Sequence, residues 1–285
     1  MRKWLTGAMR RHSVVAYFVI AYLISWAIWI PMAALGARVY QGAAWPTHTP
    51  GLVGPIAAAF VMWAVVGGRP AIKELLRRMV RWRVAPRWYL VALSPLAFFA
   101  IAAVAMAASG QGWPDLAELG SFSGLPTVAA PVMWLLLLVA AYMEETGWRG
   151  FAVPQLPKSR SLLTTALIVG ILWASWHLPS MLVIENYREL GAGFLPGFVI
   201  GIVAGSVFLA WLYRASGGSI LIVSVWHATF NLFSGTAAAH GLVAAVVSTG
   251  VMLCAVVVVG LEVRAWMRSR RSLRSREVAK LSPDL

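Results

Sequence analysis

Ser13–Leu35 reads SVVAYFVIAYLISWAIWIPMAAL, follows Arg10-Arg11 and contains no charged residue. About 20 such residues cross the hydrocarbon core of a bilayer. In lipid every backbone polar group needs an internal partner, so the run has to be helical. It is longer than the ~7–15-residue apolar core of a cleaved signal peptide, which favours a retained anchor. The pattern repeats along the chain. Gly51–Val66, Trp88–Ala108, a run from near Pro126 past Met143, Leu162–Leu178, Leu195–Tyr213, Ile220–Ala239 and Leu242–Val263 are apolar in turn. The sequence therefore predicts an all-α, polytopic membrane bundle of about eight transmembrane helices. Composition agrees: of 285 residues, 60% are apolar and 12% charged, with a mean hydropathy of +0.75. A soluble domain carries about 25% charge, and a disordered chain has low hydrophobicity; both are excluded. Cys254 is the sole cysteine, so there is no intrachain disulfide and no cysteine metal cluster.

The net charge of +14 is carried by clusters between the apolar runs. Under strict alternation of the spans, 22 Lys and Arg fall on one side and only Arg38 and Arg188 on the other. Cytoplasmic loops hold the excess of Lys and Arg, so both termini are cytoplasmic. The protein is integral and multi-pass, in the plasma membrane if the cell is prokaryotic. A topology signal accounts for the charge, and nucleic acid is not a partner. Ala71–Val84 alternates basic and apolar residues at near-helical spacing. It reads as a helix on the anionic inner leaflet or as a plain basic loop. Three parts are expected: 1–125 with helices one to three and the interfacial segment near 71–84, 126–240 with helices four to seven as a catalytic core, and 241–285 with the last helix and a basic, mobile cytoplasmic tail.

Ionisable groups deep in a bilayer are costly and usually mark function. Here they cluster in spans four, five and seven. Span four ends in Glu144-Glu145-Thr146-Gly147-Trp148-Arg149. Glu145 and Arg149, four apart, pair on one face, and Glu144 is left without that partner. A carboxyl that exchanges protons suits general acid–base chemistry; the plainer reading puts both glutamates at the cytoplasmic headgroups. His177 ends span five, where a lone imidazole is equally read as packing. His227 and Asn231 share a face of span seven, as catalysts or as hydrogen-bonding glue between helices. At 1.5 Å per residue, His227 and Asn231 sit ~11 and ~17 Å along their helix and His177 ~22 Å along its own. Glu144 matches them only if helix four continues past Arg149 to about Leu156. Its polar end then lies in protein or lines a wet cavity open to the cytoplasm.

Glu144-Glu145-x-x-x-Arg149, Trp173-x-x-x-His177 and His227-x-x-x-Asn231, in that order, resemble the three motifs of the CPBP family. These are the CAAX-protease and bacteriocin-processing intramembrane proteases, also called Abi. The flanks Arg149-Gly150-Phe151, Pro154, Pro179 and Gly218-Ser219-Ile220 agree. The resemblance covers about Val132–Ser234, and Trp173 stands where the family usually has Phe. It implies an endopeptidase that cuts a peptide bond of a membrane-associated or lipidated protein, prenylated proteins being the substrates of the type II CAAX members. It also implies that Glu144 and His177 activate water, that His227 and Asn231 stabilise the oxyanion, and that Glu145 with Arg149 holds helix four in register. No cofactor is favoured. A zinc version would use His177, His227 and Glu144 as three ligands with water fourth, although no His-Glu-x-x-His motif is present. The rival functions are a non-proteolytic scaffold or immunity protein of the same fold and, more remotely, a transporter.

Overall fold

The computed structural model describes residues 2–281. Each apolar run holds a helix, after a short amphipathic α1 (Arg2–Arg11). α2 (Ser13–Ala34) crosses away from the basic terminus, and α3 (Val53–Met79) returns. α4 (Arg87–Ala92) leads into α5 (Ser94–Ala108), and α6 (Ala130–Gly147) returns again. A π turn, Trp148–Ala152, carries α6 into the short α7 (Val153–Gln155). α8 (Leu162–Trp176) rises, followed by α9 (Leu178–Met181) and α10 (Glu185–Leu190). α11 (Leu195–Ala215), α12 (Ile220–Ser234) and α13 (Gly241–Leu281) complete an all-α membrane bundle. Five helical stretches are long and apolar enough to cross a bilayer by themselves, and Ser94–Ala108 and Ile220–Ser234 are shorter apolar helices. Among the described residues the β structure is limited to three isolated bridges.

Local chemistry sets the boundaries. Ser161 caps α8 by accepting from the Thr164 N–H, and Ser219 caps α12 by accepting from the Ile222 N–H. Such caps satisfy amides that the first helical turn leaves orphaned. Pro95, Pro131 and Pro196 sit in the first turns of α5, α6 and α11, where a missing N–H is harmless. α3 breaks at Gly68 (φ 62°, ψ −154°), a backbone state open to glycine, just before Arg69-Pro70. The helix after the break carries the Ala71–Val84 pattern but stops at Met79. The predicted mobile tail is corrected in part: helix continues to Leu281, because Arg264–Leu281 contains no Gly or Pro and is rich in good helix formers.

The two faces are pinned separately. On the basic face, the Ser219 hydroxyl donates to the Arg81 carbonyl at 2.7 Å, Arg81 donates to the Gly217 carbonyl, and Arg214 pairs with Glu262. On the opposite face, loops meet through Val39↔Ile184, Gln41↔Ser123 and Phe122↔Thr236, and Arg38 and Arg188 both pair with Glu185.

α2, α3 and α6 approach closely at Gly147, where a Cβ would meet the Tyr17 hydroxyl and lie 2.6 Å from Pro55 Cβ and 2.8 Å from its carbonyl oxygen. Gly147→Ala is therefore expected to lower stability by about 1–3 kcal/mol through overpacking. A fall in the thermal unfolding midpoint in detergent checks this; an unchanged midpoint would contradict the contact.

Candidate active site

Helix four does continue past Arg149, by way of the π turn and as far as Gln155. Pro154 has no N–H to give the Gly150 carbonyl four residues earlier, and the Trp63 indole donates to that oxygen instead at 3.1 Å. π turns occur frequently at functional sites. This one keeps Glu144, Glu145 and Arg149 on one continuous helix, inside protein rather than at the headgroups. Arg149 is fully buried, so it leaves the cytoplasmic charge count at 21 against 2.

Glu145 Oε1 accepts from Arg149 Nη1 and from His227 Nδ1, both at 2.9 Å. The expected Glu145–Arg149 pair is thus a triad that ties α6 to α12. The Arg149 guanidinium lies over the Trp173 ring at 4.7 Å, a cation–π contact that α8 supplies. Glu144 Oε2 accepts from the Trp173 indole at 2.7 Å and, at 3.4 Å, from the Trp148 indole. Neither donor was anticipated. Trp148 lies four residues after Glu144, so its position on the same face was readable; Trp173 is 29 residues away and was valued only as an aromatic ring. Glu144 Oε1 has no protein donor.

His177 closes α8. Its Nδ1 lies 2.9 Å from the Trp173 carbonyl. A carbonyl can only accept, so Nδ1 carries the proton and Nε2 keeps its lone pair. The ring sits edge-on to Trp176 and Phe198 and within electrostatic range of Glu144 and His227. Trp173 stands edge-on to His227 at 5.4 Å and tilted against His177 at 6.1 Å. Asn231 lies one turn beyond His227 on α12, half-buried, with no hydrogen bond to its side chain. Helices four, five and seven therefore bring Glu144, Glu145, Arg149, His177 and His227 around Trp173, with Asn231 on the adjoining turn.

Two further titratable groups border this cluster. Burial pushes the His48 imidazole down to about 4, helped by the nearby His177. Burial and then the charge of Glu144 push the Tyr187 phenol up to about 12. Both come from loops, which apolar periodicity does not address.

The expected opening towards the cytoplasm is overturned. Tyr17, Trp148, Phe151 and Ile220 are 0% exposed and Leu75 1%, and they plug the cytoplasmic side of the cluster. Gly150 lets Leu75 and Ile220 close in, their terminal methyls lying 3.1 and 2.9 Å from where its Cβ would be. Exposure returns at His177 and Asn231, on the far side. The reason is the π turn, which sends the bulky residues after Gly147 into the bundle instead of ending the helix in a polar mouth.

The donors do not fit a three-ligand zinc site. Among the described residues no three His, Cys, Asp or Glu side chains gather closely enough to share one ion, and Glu145 and the Trp173 carbonyl already engage one nitrogen of each site histidine.

Residues 126–233 match the family model described as Type II CAAX prenyl endopeptidase Rce1-like. That span holds every residue of the cluster except the bordering His48. The chain is also 23% identical over 232 residues to "CAAX prenyl protease 2" of Methanococcus maripaludis, covering 78% of this chain and 84% of the relative. Both findings support a CAAX/CPBP-type protease, the family that the three motifs resemble.

Proposed function

We propose that the chain is an intramembrane endopeptidase that hydrolyses a peptide bond of a membrane-associated protein. One observation carries this reading: a carboxylate oxygen without a protein donor, Glu144 Oε1, and an imidazole lone pair, His177 Nε2, flank the same indole at mid-depth in the bundle. Water held between them attacks the scissile carbonyl carbon and gives its proton to Glu144. The carbonyl oxygen becomes an oxyanion, to which Asn231 and His227 donate. His227 offers Nε2–H only as the imidazolium, since Nδ1–H is committed to Glu145, and Glu145 is then its counter-ion. Donors fixed in a water-poor site are worth roughly 2.7–4 kcal/mol each at a developing oxyanion. The C–N bond then breaks, and the proton held by Glu144 passes to the leaving nitrogen.

Trp173 positions Glu144 rather than touching substrate. Trp173→Phe keeps the ring beneath Arg149 and removes one charge-assisted hydrogen bond, worth about 1.5–3 kcal/mol. Turnover is expected to fall roughly ten- to hundredfold with KM little changed. A rise in KM at constant turnover would instead make Trp173 a substrate contact.

The test of the function itself is a comparison of protein termini across cells expressing the wild-type chain and Glu144→Gln. Termini present only with the wild type are expected; identical termini would reject the hydrolase. Metal removal from the purified protein with a chelator is expected to leave cleavage unchanged, and cleavage lost on chelation and restored by zinc would reject the assignment of roles given above.

A further inference from the structure

We propose that the site is served from the non-cytoplasmic face of the membrane, so that its substrate is a polypeptide segment exposed there, from an exported or membrane-embedded protein, rather than the end of a cytoplasmic one. The chemistry rests on the hydrolase reading; the geometry does not.

Three observations converge. Sidedness comes first. Lys158 and Arg160 precede α8, Arg214 ends α11, and Arg81 is bonded to Gly217 and Ser219 just before α12, so the cytoplasmic ends of the three helices are fixed by the positive-inside rule. Depth is the second. Measured from those ends at 1.5 Å per residue, Trp173 with its partner Glu144 lies ~16 Å up, Asn231 ~17 Å and His177 ~22 Å. His177 is the last residue before the loops of the opposite face. Closure is the third: the side towards the cytoplasm is sealed by Tyr17, Trp148, Phe151 and Ile220, while partial exposure begins at His177 and Asn231.

The rim on the open side has its own chemistry. His177 meets Phe198 at 5.4 Å, and Phe198 meets Tyr187 and Phe194, each at 5.8 Å. All three rings are half-buried. The two cations of this face share Glu185, so the rim carries little free positive charge. An apolar stretch of polypeptide can lie against this aromatic edge without leaving the outer half of the membrane.

Single cysteines in a Cys254→Ser background test the proposal. Leu182→Cys, on the outer loops, and Arg160→Cys, on the basic side, are the markers; His177→Cys and Phe198→Cys report on the site. A membrane-impermeant maleimide applied to intact cells is expected to modify Leu182→Cys and at least one site cysteine, with Arg160→Cys modified only in everted vesicles. Site cysteines that react only in everted vesicles, together with Arg160→Cys, would overturn the proposal. The Glu144-dependent termini are then sorted by membrane side. Cuts in exported or outward-facing segments support the proposal. Cuts confined to cytoplasmic segments overturn it and leave the hydrolase intact. Outward labelling with no Glu144-dependent cut does the reverse: the approach face stands and the hydrolase fails.

Discussion

Glu144→Gln is expected to lower cleavage by about 10²–10⁴-fold, the usual contribution of a general base, without lowering the thermal midpoint. The reason is local. The Trp173 and Trp148 indoles need an acceptor at Oε2, and a glutamine can turn its amide oxygen to them while its NH₂ takes the place of Oε1. The replacement has the same shape and keeps the same partners, yet it cannot accept a proton from water. It also removes a charge from the interior, where an ionised group is costly, so stability stays level or rises. A scaffold would keep its cellular effect with this variant. Wild-type cleavage by a folded Glu144→Gln protein would remove Glu144 from the chemistry, and a lowered midpoint would contradict the indole clamp.

The second large effect is on stability. Glu145 and Arg149 are both fully buried and bonded at 2.9 Å. Losing one partner of a buried pair strands the other charge, at a cost of about 3–5 kcal/mol. Arg149→Met is expected to cost that much, because the Glu145 carboxylate is left with His227 alone and the Trp173 face loses its cation. Glu145→Gln with Arg149→Met is expected to be less harmful than Arg149→Met, since no charge is stranded. Unfolding in detergent, run as a double-mutant cycle, isolates the coupling. Additive losses would show that the two side chains do not depend on each other.

Much of this arrangement could be read from spacing. The four-residue interval between Glu145 and Arg149 gave their pairing, and the same interval put His227 and Asn231 on one face. The depth argument asked helix four to run past Arg149, and it does. What spacing could not give is which side chains meet across the bundle. Glu145 was assigned one partner and has two, the second 82 residues away. Trp173 looked like a conservative exchange for Phe, but its indole N–H is the closest donor to Glu144. The direction of opening was misjudged because the glutamates were pictured at a helix end, whereas large rings below them fill the cytoplasmic half. The break at Gly68 had a visible cue in Gly67-Gly68-Arg69-Pro70, a cluster of helix-disfavouring residues that an apolar span did not bring to notice.

The stretch Trp148–Ala152 has a consequence for tolerance to change. A π turn contains a surplus residue relative to regular α-helix. Deleting one position there would let the segment wind normally, but everything after it would swing by about 100° about the axis. Phe151 would leave Tyr17 and Trp63, which its ring now meets at 5.0 and 5.2 Å, and the Gly150 carbonyl would turn away from Trp63. Side-chain exchanges can be absorbed one contact at a time, whereas a change in chain length at this point reorients a whole wall of the enclosure. The register of five residues therefore constrains this region more tightly than their identities do.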